Sequence, residues 1–92
     1  MSDALENAHA LPGIPLGKWL TAHLASSPPR AKMLRWWISS QRTGAKLGVV
    51  QWYSHWRQYV FSPNPGCIFN RHCLRLLADF CEEKTKEHRA GT

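Results

Sequence analysis

The chain has 92 residues, five of them tryptophan, and carries a formal net charge of +6 at neutral pH with a pI of about 9.7. A chain of this length forms one small domain, which buries only about 60–65% of its unfolded surface. No apolar stretch reaches the ~20 residues that span a membrane, and no basic start followed by an apolar run marks a secretory signal. We therefore expect a cytoplasmic protein that does not bind a membrane.

Acidic side chains are confined to the two ends of the chain. No carboxylate occurs between Glu6 and Asp79, whereas the same stretch holds nine lysines and arginines. Such a surface repels itself unless an anionic partner lies against it, which favours nucleic acid or an acidic protein face as the partner. Paired carboxylates and a Ser-His-Asp relay are also missing from this stretch. We predict a binding protein without a cofactor and not an enzyme; the alternative is a basic protein whose cations only keep it in solution.

The pattern of apolar residues divides the chain into three parts. Residues 1–13 have no periodic apolar pattern and are expected to form a flexible N-terminal segment, and residues 89–92 a flexible tail. Residues 14–88 form the single small domain.

The domain is expected to begin with a short helix. Over residues 16–25, apolar side chains recur at helical spacing, Pro15 suits a first helical turn, and the prolines at 28 and 29 end the pattern. A helix this short is unstable alone in water, so we expect it to dock on the rest of the domain.

Three strands and a second helix follow. Residues 33–38, 46–53 and 56–62 are rich in aromatic and β-branched side chains and are separated by turn residues, which predicts a β-meander. Asn70 is a good N-cap, and the spacing of apolar residues over 70–88 predicts an amphipathic helix. The expected fold class is α+β, with a short N-terminal helix, a three-stranded antiparallel β-meander and a C-terminal amphipathic helix packed on one sheet face.

The hairpin formed by the second and third strands is the predicted working part. If residues 54–55 form its turn, Tyr53 opposes Trp56 and the side chains sort into two faces. We expect the C-terminal helix to cover the face made of Val50, Trp52, Tyr59 and Phe61. On that face Trp52 meets Arg57 in a cation–π pair, and Phe61 lies opposite Gly48.

The second face of the hairpin has two interpretations. It displays Tyr53, Trp56 and Gln58 as an open aromatic patch, or it packs in the core against Trp19 and Leu20. The open patch, rimmed by cations, would contact nucleobases or a protein partner. The candidate residues for binding a partner or nucleic acid are Arg35, Arg42, Lys46, Tyr53, Trp56 and Arg57.

Residues of the types that bind metal or act as nucleophiles do not form a recognisable motif. The spacing of Cys67, Cys73 and Cys81 fits no zinc module, and Cys73 and Cys81 lie on the apolar stripe of the helix. We therefore expect reduced, free thiols and no metal, although His72 is also a possible ligand by residue type. No acid is near enough in the sequence to orient His55 or His72 for a Cys-His nucleophile.

About half of the chain, residues 44–88, carries a recognisable pattern. Its elements are Leu47-Gly48, Trp52-Tyr53, Trp56-Arg57, Tyr59, Phe61-Ser-Pro63, Pro65-Gly66, Phe69-Asn70, Cys73-Leu74 and Ala78-Asp79-Phe80. This pattern resembles a family of small proteins encoded by bacteriophages and prophages. The resemblance implies a phage or prophage source, hence the host bacterial cytoplasm, and a core of three strands and a helix. It implies no particular activity.

Two functions fit these observations. The leading hypothesis is a non-enzymatic phage accessory protein that binds a host nucleic-acid-handling or defence complex and modulates or inhibits it, as anti-CRISPR proteins do. The alternative is a direct DNA- or RNA-binding module that serves phage nucleic-acid metabolism. The sequence leaves open a structural role in the virion, the identity of the partner and the oligomeric state.

Overall fold

The structure, a computed structural model, describes residues 13–25 and 34–90. The predicted N-terminal segment, apart from Gly13, therefore lies outside the described residues, as do residues 26–33 and the last two residues of the predicted tail. The described part is an α+β fold of five antiparallel strands in chain order, followed by one helix. The elements are β1 (Gly13–Leu16), β2 (Leu20–Leu24), β3 (Trp36–Ser40), β4 (Lys46–Tyr53), β5 (Gln58–Pro63) and α1 (Arg71–Ala90).

The predicted N-terminal helix is wrong, because residues 13–24 form the β1–β2 hairpin. Leu16 and Leu20 have helical spacing in the sequence, but in the hairpin they pair directly across the two strands. Gly17, at φ 64°, allows the tight turn between them. Pairing of β2 with β3 extends the sheet and buries Leu20, whereas a two-turn helix would gain little stability by itself. The sheet consequently has five strands and not three.

The core lies between α1 and one face of the sheet. Successive side chains of a strand point to opposite faces, so alternate residues of each strand face the helix. The helix contributes Leu77 and Phe80, and the Phe80 and Trp36 rings pack nearly perpendicular to each other at a centroid distance of 5.5 Å. The buried residues from the strands are Leu16, Leu20, Ala22, Trp36, Ile38, Val50 and Tyr59.

The predicted turn of the β4–β5 hairpin is wrong, but the predicted covered face is confirmed. Tyr53 pairs with Gln58 and not with Trp56, so the loop has four residues instead of two. This moves the register by two positions, so Phe61 lies opposite Val50 and not opposite Gly48 as predicted. Side chains alternate with a period of two, so the residues that belong to the two strands keep their predicted faces. Val50, Trp52, Tyr59 and Phe61 accordingly belong to or pack against the core, as predicted.

Helix α1 begins as predicted and ends later than predicted. The side-chain oxygen of Asn70 accepts a hydrogen bond from the backbone N–H of Cys73 at 2.9 Å, which is the expected N-cap. The helix continues to Ala90, so the first two residues of the predicted tail are helical. No helix among the described residues is long and apolar enough to cross a membrane.

Both edges of the sheet are protected against pairing with further strands. At the β5 edge, the hydroxyl of Thr85 on α1 accepts a hydrogen bond from the backbone N–H of Tyr59 at 2.9 Å. By alternation, the next outward donor positions of β5 are Phe61 and Pro63, and proline has no N–H. At the other edge, β1 has only four residues and contains Pro15. Short strands and prolines are typical of edges that do not template further pairing.

Candidate binding surface

Positive and negative charges are separated between the sheet and the helix. The described carboxylates all lie on α1, which also carries five lysines and arginines and is nearly balanced in charge. The remainder of the described chain, residues 13–25 and 34–70, has no carboxylate. It carries five cations, which are Lys18, Arg35, Arg42, Lys46 and Arg57. Within residues 13–25 and 34–70, the charged side chains are therefore all positive.

The face of the sheet that points away from α1 collects polar, aromatic and cationic side chains. We call it the open face, because α1, the one helix among the described residues, packs on the opposite side. His23, Trp37 and Gln51 are half-buried by their neighbours on the sheet, while Arg35, Lys46 and Tyr53 are exposed. The open face is defined by His23, Arg35, Trp37, Lys46, Gln51 and Tyr53.

The centre of the open face is a row of cross-strand neighbours. His23 on β2 pairs with Trp37 on β3, and Trp37 pairs with Val49 on β4. The register shifts between Ile38 and Ser39, which brings Lys46 opposite Ser39 and therefore onto the open face. The Lys46 ammonium accordingly lies 4.9 Å from the centroid of the Trp37 ring, a cation–π contact.

A second row lies closer to the β4–β5 turn. The backbone C=O of Arg35 accepts a hydrogen bond from the N–H of Ala25 at 2.8 Å, so the β2–β3 register continues to Arg35. The β3–β4 register, in which Trp36 pairs with Val50, continued by one residue, places Arg35 opposite Gln51. The amide of Gln51 donates to the hydroxyl of Ser62 at 3.4 Å. The open face therefore has two rows of side chains. The first contains Trp37 and Lys46, and the second contains Arg35 and Gln51.

The loop between β4 and β5 presents aromatic rings to solvent. The rings of Tyr53 and His55 are stacked at a centroid distance of 5.2 Å, and Trp56 contacts Tyr53 edge-on at 5.0 Å. Trp56 is 65% exposed, whereas Leu20 is 2% exposed beneath α1. The alternative that Tyr53 and Trp56 pack with Leu20 in the core is therefore wrong. We call residues 53–57 the hairpin tip.

Arg57 closes the hairpin tip in an unusual backbone conformation. Its φ is 54°, in the left-handed region that non-glycine residues rarely adopt, and its carbonyl accepts a hydrogen bond from Arg89 Nη2 at 3.4 Å. The predicted cation–π pair between Trp52 and Arg57 is wrong, because Trp52 pairs with Tyr59 in the observed register. The ring beside Trp52 is instead that of His88, at 4.2 Å.

The structure brings the six predicted binding residues into three places. Tyr53, Trp56 and Arg57 lie together at the hairpin tip. Arg35 and Lys46 lie on the open face, which Tyr53 also joins. Arg42 lies in the β3–β4 turn, near the Lys46 end of β4. Lys46 and Tyr53 are the two ends of β4, about 23 Å apart at ~3.3 Å per residue.

Sequence reasoning missed the part of the open face that β2 and β3 contribute. His23 was assigned to a helix, so its pairing with Trp37 was not foreseen, and Gln51 was not singled out. A signal was present in the alternation of polar Thr21 and His23 with apolar Ala22 and Leu24, which is typical of a half-buried strand.

Burial makes the Cys81 thiol less reactive than an ordinary thiol. Cys67, Cys73 and Cys81 are free and partly buried, and burial raises the pKa of the Cys81 thiol to about 11. Cys81 lines a cleft of about 380 Å³ between β5 and α1. Its thiol is protonated at neutral pH and therefore a poor nucleophile there. Within residues 13–25 and 34–90, no three His, Cys, Asp or Glu side chains lie close enough to hold a metal ion.

Comparisons with models of protein families, with curated proteins and with solved structures find no match to this chain. The resemblance to phage-encoded proteins therefore stays a prediction. The function is argued below from the charges, rings and exposures of the described residues.

Proposed function

We propose that this protein is a non-enzymatic accessory protein of the phage type that binds a host nucleic-acid-handling or defence complex and alters its activity. The observation that carries the proposal is the confinement of every described carboxylate to α1. Carboxylates on the sheet would repel an anionic partner, and their absence leaves five cations free to attract one. The partner's surface is therefore anionic and faces the sheet part of the molecule.

The sign of the charge limits how such a protein can act on a host complex. A DNA mimic must be acidic to fill a cationic groove, and a chain of net charge +6 has the opposite sign. The protein instead covers an acidic protein surface or binds the nucleic acid that the complex holds. In both modes the sheet cations supply the attraction, and long-range charge raises the association rate at low salt.

The positions of the titratable residues support a binding role. Catalysis by a histidine base or a nucleophile generally requires a partner that orients it. His55 stacks on Tyr53 in the hairpin tip, and within residues 13–25 and 34–90 every side-chain carboxylate lies on α1. Burial raises the pKa of the Cys81 thiol, which is the opposite of the lowered pKa that activates a thiol as a nucleophile.

A second candidate function is direct binding of DNA or RNA in phage nucleic-acid metabolism. The exposed rings of the hairpin tip favour it, since Tyr53 is 40% and Trp56 65% exposed. Stacking of bases on aromatic side chains beside cations is the usual way in which proteins hold unpaired nucleotides. In this case no host protein is required for the interaction.

Affinity capture from a bacterial lysate, performed with and without nuclease, tests the proposal. We expect the wild-type protein to retain a defined host complex, and the triple variant Arg35→Gln, Arg42→Gln, Lys46→Gln to lose most of it. The matched control removes the same charge from the helix, as Arg71→Gln, Arg75→Gln, Lys86→Gln, and should capture the complex normally. All six side chains belong to exposed residues, so the core is not disturbed.

Three results separate the possibilities. A complex that survives nuclease and depends on the sheet cations supports the proposed function. Recovery of nucleic acid alone supports the second candidate. Equal capture by the two triple variants would show that the distribution of charge does not direct binding, and would contradict the proposal.

A further inference from the structure

We propose that the anion bound by the sheet is single-stranded nucleic acid, which lies across the open face and reaches the hairpin tip. This inference rests on the proposed function, because it names the component of the host complex that the sheet cations contact. Three properties of the open face carry it: its charge, its aromatic rings and its width.

The positive charge of the open face favours a polyanion as the ligand. Arg35 and Lys46 lie on the open face itself, and Arg42 and Arg57 lie in the turns at its two ends. The cations therefore follow β4 along its length of about 23 Å, which matches an extended chain of phosphates better than a single acidic side chain. The carboxylates of α1 lie on the other side of the sheet and do not repel a strand placed here.

The aromatic side chains of the open face favour a nucleic acid whose bases are exposed. Trp37 lies in the central row, and Tyr53 lies where the open face meets the hairpin tip. Gln51 lies between them on β4 and has an amide that can donate to and accept from the edges of bases. Rings separated by a polar side chain on a rigid sheet are a surface for stacked, unpaired bases, which every sequence offers.

The dimensions of the sheet argue against a duplex. Five strands spaced by ~4.8 Å give a surface about 19 Å wide, whereas the major groove of B-DNA is ≈ 12 Å wide and admits a helix or a two-stranded ribbon. The helix is no substitute, because its four carboxylates offset its five lysines and arginines and leave it almost without net charge. A duplex also keeps its bases stacked inside, out of reach of Trp37 and Tyr53. A single strand meets none of these obstacles.

Fluorescence anisotropy with labelled oligonucleotides tests the inference. Oligo(dT) and oligo(rU) of about 20 nucleotides exceed the ~4–16 nucleotides that one small domain occupies. The comparison ligand is a DNA duplex of the same length, measured at the same salt concentrations. We expect at least one of the single strands to bind about tenfold or more tightly than the duplex, with an affinity that falls as salt rises.

Two pairs of variants separate the open face from the helix. Arg35→Gln with Lys46→Gln should weaken single-strand binding about tenfold or more and lower the salt slope by about 1.4, that is ~0.7 for each lost phosphate contact. The control Arg71→Gln with Arg75→Gln removes the same charge from α1 and should leave binding within about threefold. Tyr53→Leu should weaken binding about fivefold or more with no change in the salt slope, because stacking carries no charge.

NMR titration provides a readout that does not depend on variants. Addition of the single strand should shift the amide resonances of His23, Trp37, Gln51 and Tyr53 and leave those of α1 unchanged. Equal affinity for duplex and single strand, or shifts confined to α1, would overturn the inference. Failure to bind any oligonucleotide would also overturn it. The proposed function would still stand in that case if a nuclease-resistant host complex continued to depend on the sheet cations.

Discussion

The hydroxyl of Thr85 accepts a hydrogen bond from the backbone N–H of Tyr59 at 2.9 Å, across 26 positions of the sequence. The same hydroxyl donates to the carbonyl of Cys81 at 2.7 Å, one helical turn earlier. One buried side chain thereby joins α1 to the outer edge of β5. The helix is thus held by a directed contact in addition to its apolar packing.

Replacement of Thr85 by valine should destabilise the fold. Valine has nearly the same shape, but it leaves the N–H of Tyr59 without an acceptor, which costs about 1–3 kcal/mol. Replacement by serine keeps the hydroxyl and loses one methyl group, a cost of about 0.8 kcal/mol. Urea unfolding should therefore rank the variants as wild type, serine, valine. A valine variant as stable as the wild type would refute the importance of this hydrogen bond.

Gly48 is predicted to tolerate no larger side chain. An added Cβ would meet the backbone carbonyl of Ser62 and would lie 2.7 Å from two atoms of the Phe61 ring. The ring could turn, but the carbonyl belongs to the neighbouring strand and cannot. Gly48→Ala should therefore lower the free energy of unfolding by about 1–3 kcal/mol, measured by urea denaturation.

Gly44 provides the comparison for Gly48. Its surroundings are open, but its φ is 75°, so alanine there is strained by about 1–2 kcal/mol through the backbone alone. Asparagine tolerates this conformation, so Gly44→Asn should be more stable than Gly44→Ala. At Gly48 the order should be the reverse, because the larger side chain clashes more. The same order at both positions would contradict the distinction between a steric and a conformational requirement.

Local patterns in the sequence predicted the parts of the fold that depend on neighbouring residues. The N-cap at Asn70 and the apolar spacing after it identified α1, and alternation identified which residues of β4 and β5 face it. The β1–β2 hairpin was missed because the spacing of Leu16 and Leu20 fits a helical turn as well as a cross-strand pair. Only the pairing of β2 with β3, a contact between distant segments, decides between them.

The candidate site was predictable only in part for the same reason. Tyr53 and Trp56 could be recognised as potential contact residues, but their exposure depended on where Leu20 lies. The contribution of His23 and Trp37 depended on the position of β2 in the sheet. The left-handed backbone of Arg57 follows from the four-residue loop, which residue types alone do not specify.

Arg57→Gly should separate stability from binding. Glycine adopts the left-handed conformation without strain, so the variant should be more stable by about 0.5–1 kcal/mol after the added entropy of its unfolded chain is included. If the hairpin tip contacts the partner, the variant should also bind more weakly. Arg57→Lys keeps both charge and strain and serves as the control. Loss of stability in the glycine variant would show that the arginine side chain supports the fold.

The thiol of Cys81 should react slowly in the folded protein. Burial raises its pKa from the ordinary value of 9.0 to about 11, so at pH 8 the thiolate is about a hundredfold scarcer than in the unfolded chain. Alkylation by iodoacetamide, followed by mass spectrometry in a Cys67→Ser, Cys73→Ser background, should accelerate strongly in urea. Equal rates in both states would contradict this prediction.

The same pKa shift makes stability depend on alkaline pH. The folded state favours the protonated thiol, so this contribution is fully present below pH 9.0 and is lost as the pH rises to about 11. Cys81→Ala should remove the contribution, and the difference between the two proteins in urea unfolding should change only in that interval.

The protected edges of the sheet limit the ways in which this protein can evolve to bind a partner. With Pro15 in β1, and with Pro63 and the bonded N–H of Tyr59 in β5, neither edge offers a continuous row of backbone donors. When a partner binds by adding a strand to a sheet, the affinity comes mainly from main-chain hydrogen bonds. These edges therefore do not favour binding by strand addition. If the open face is the binding surface, as we propose, recognition falls to its side chains, and a few substitutions there would redirect the protein from one target to another.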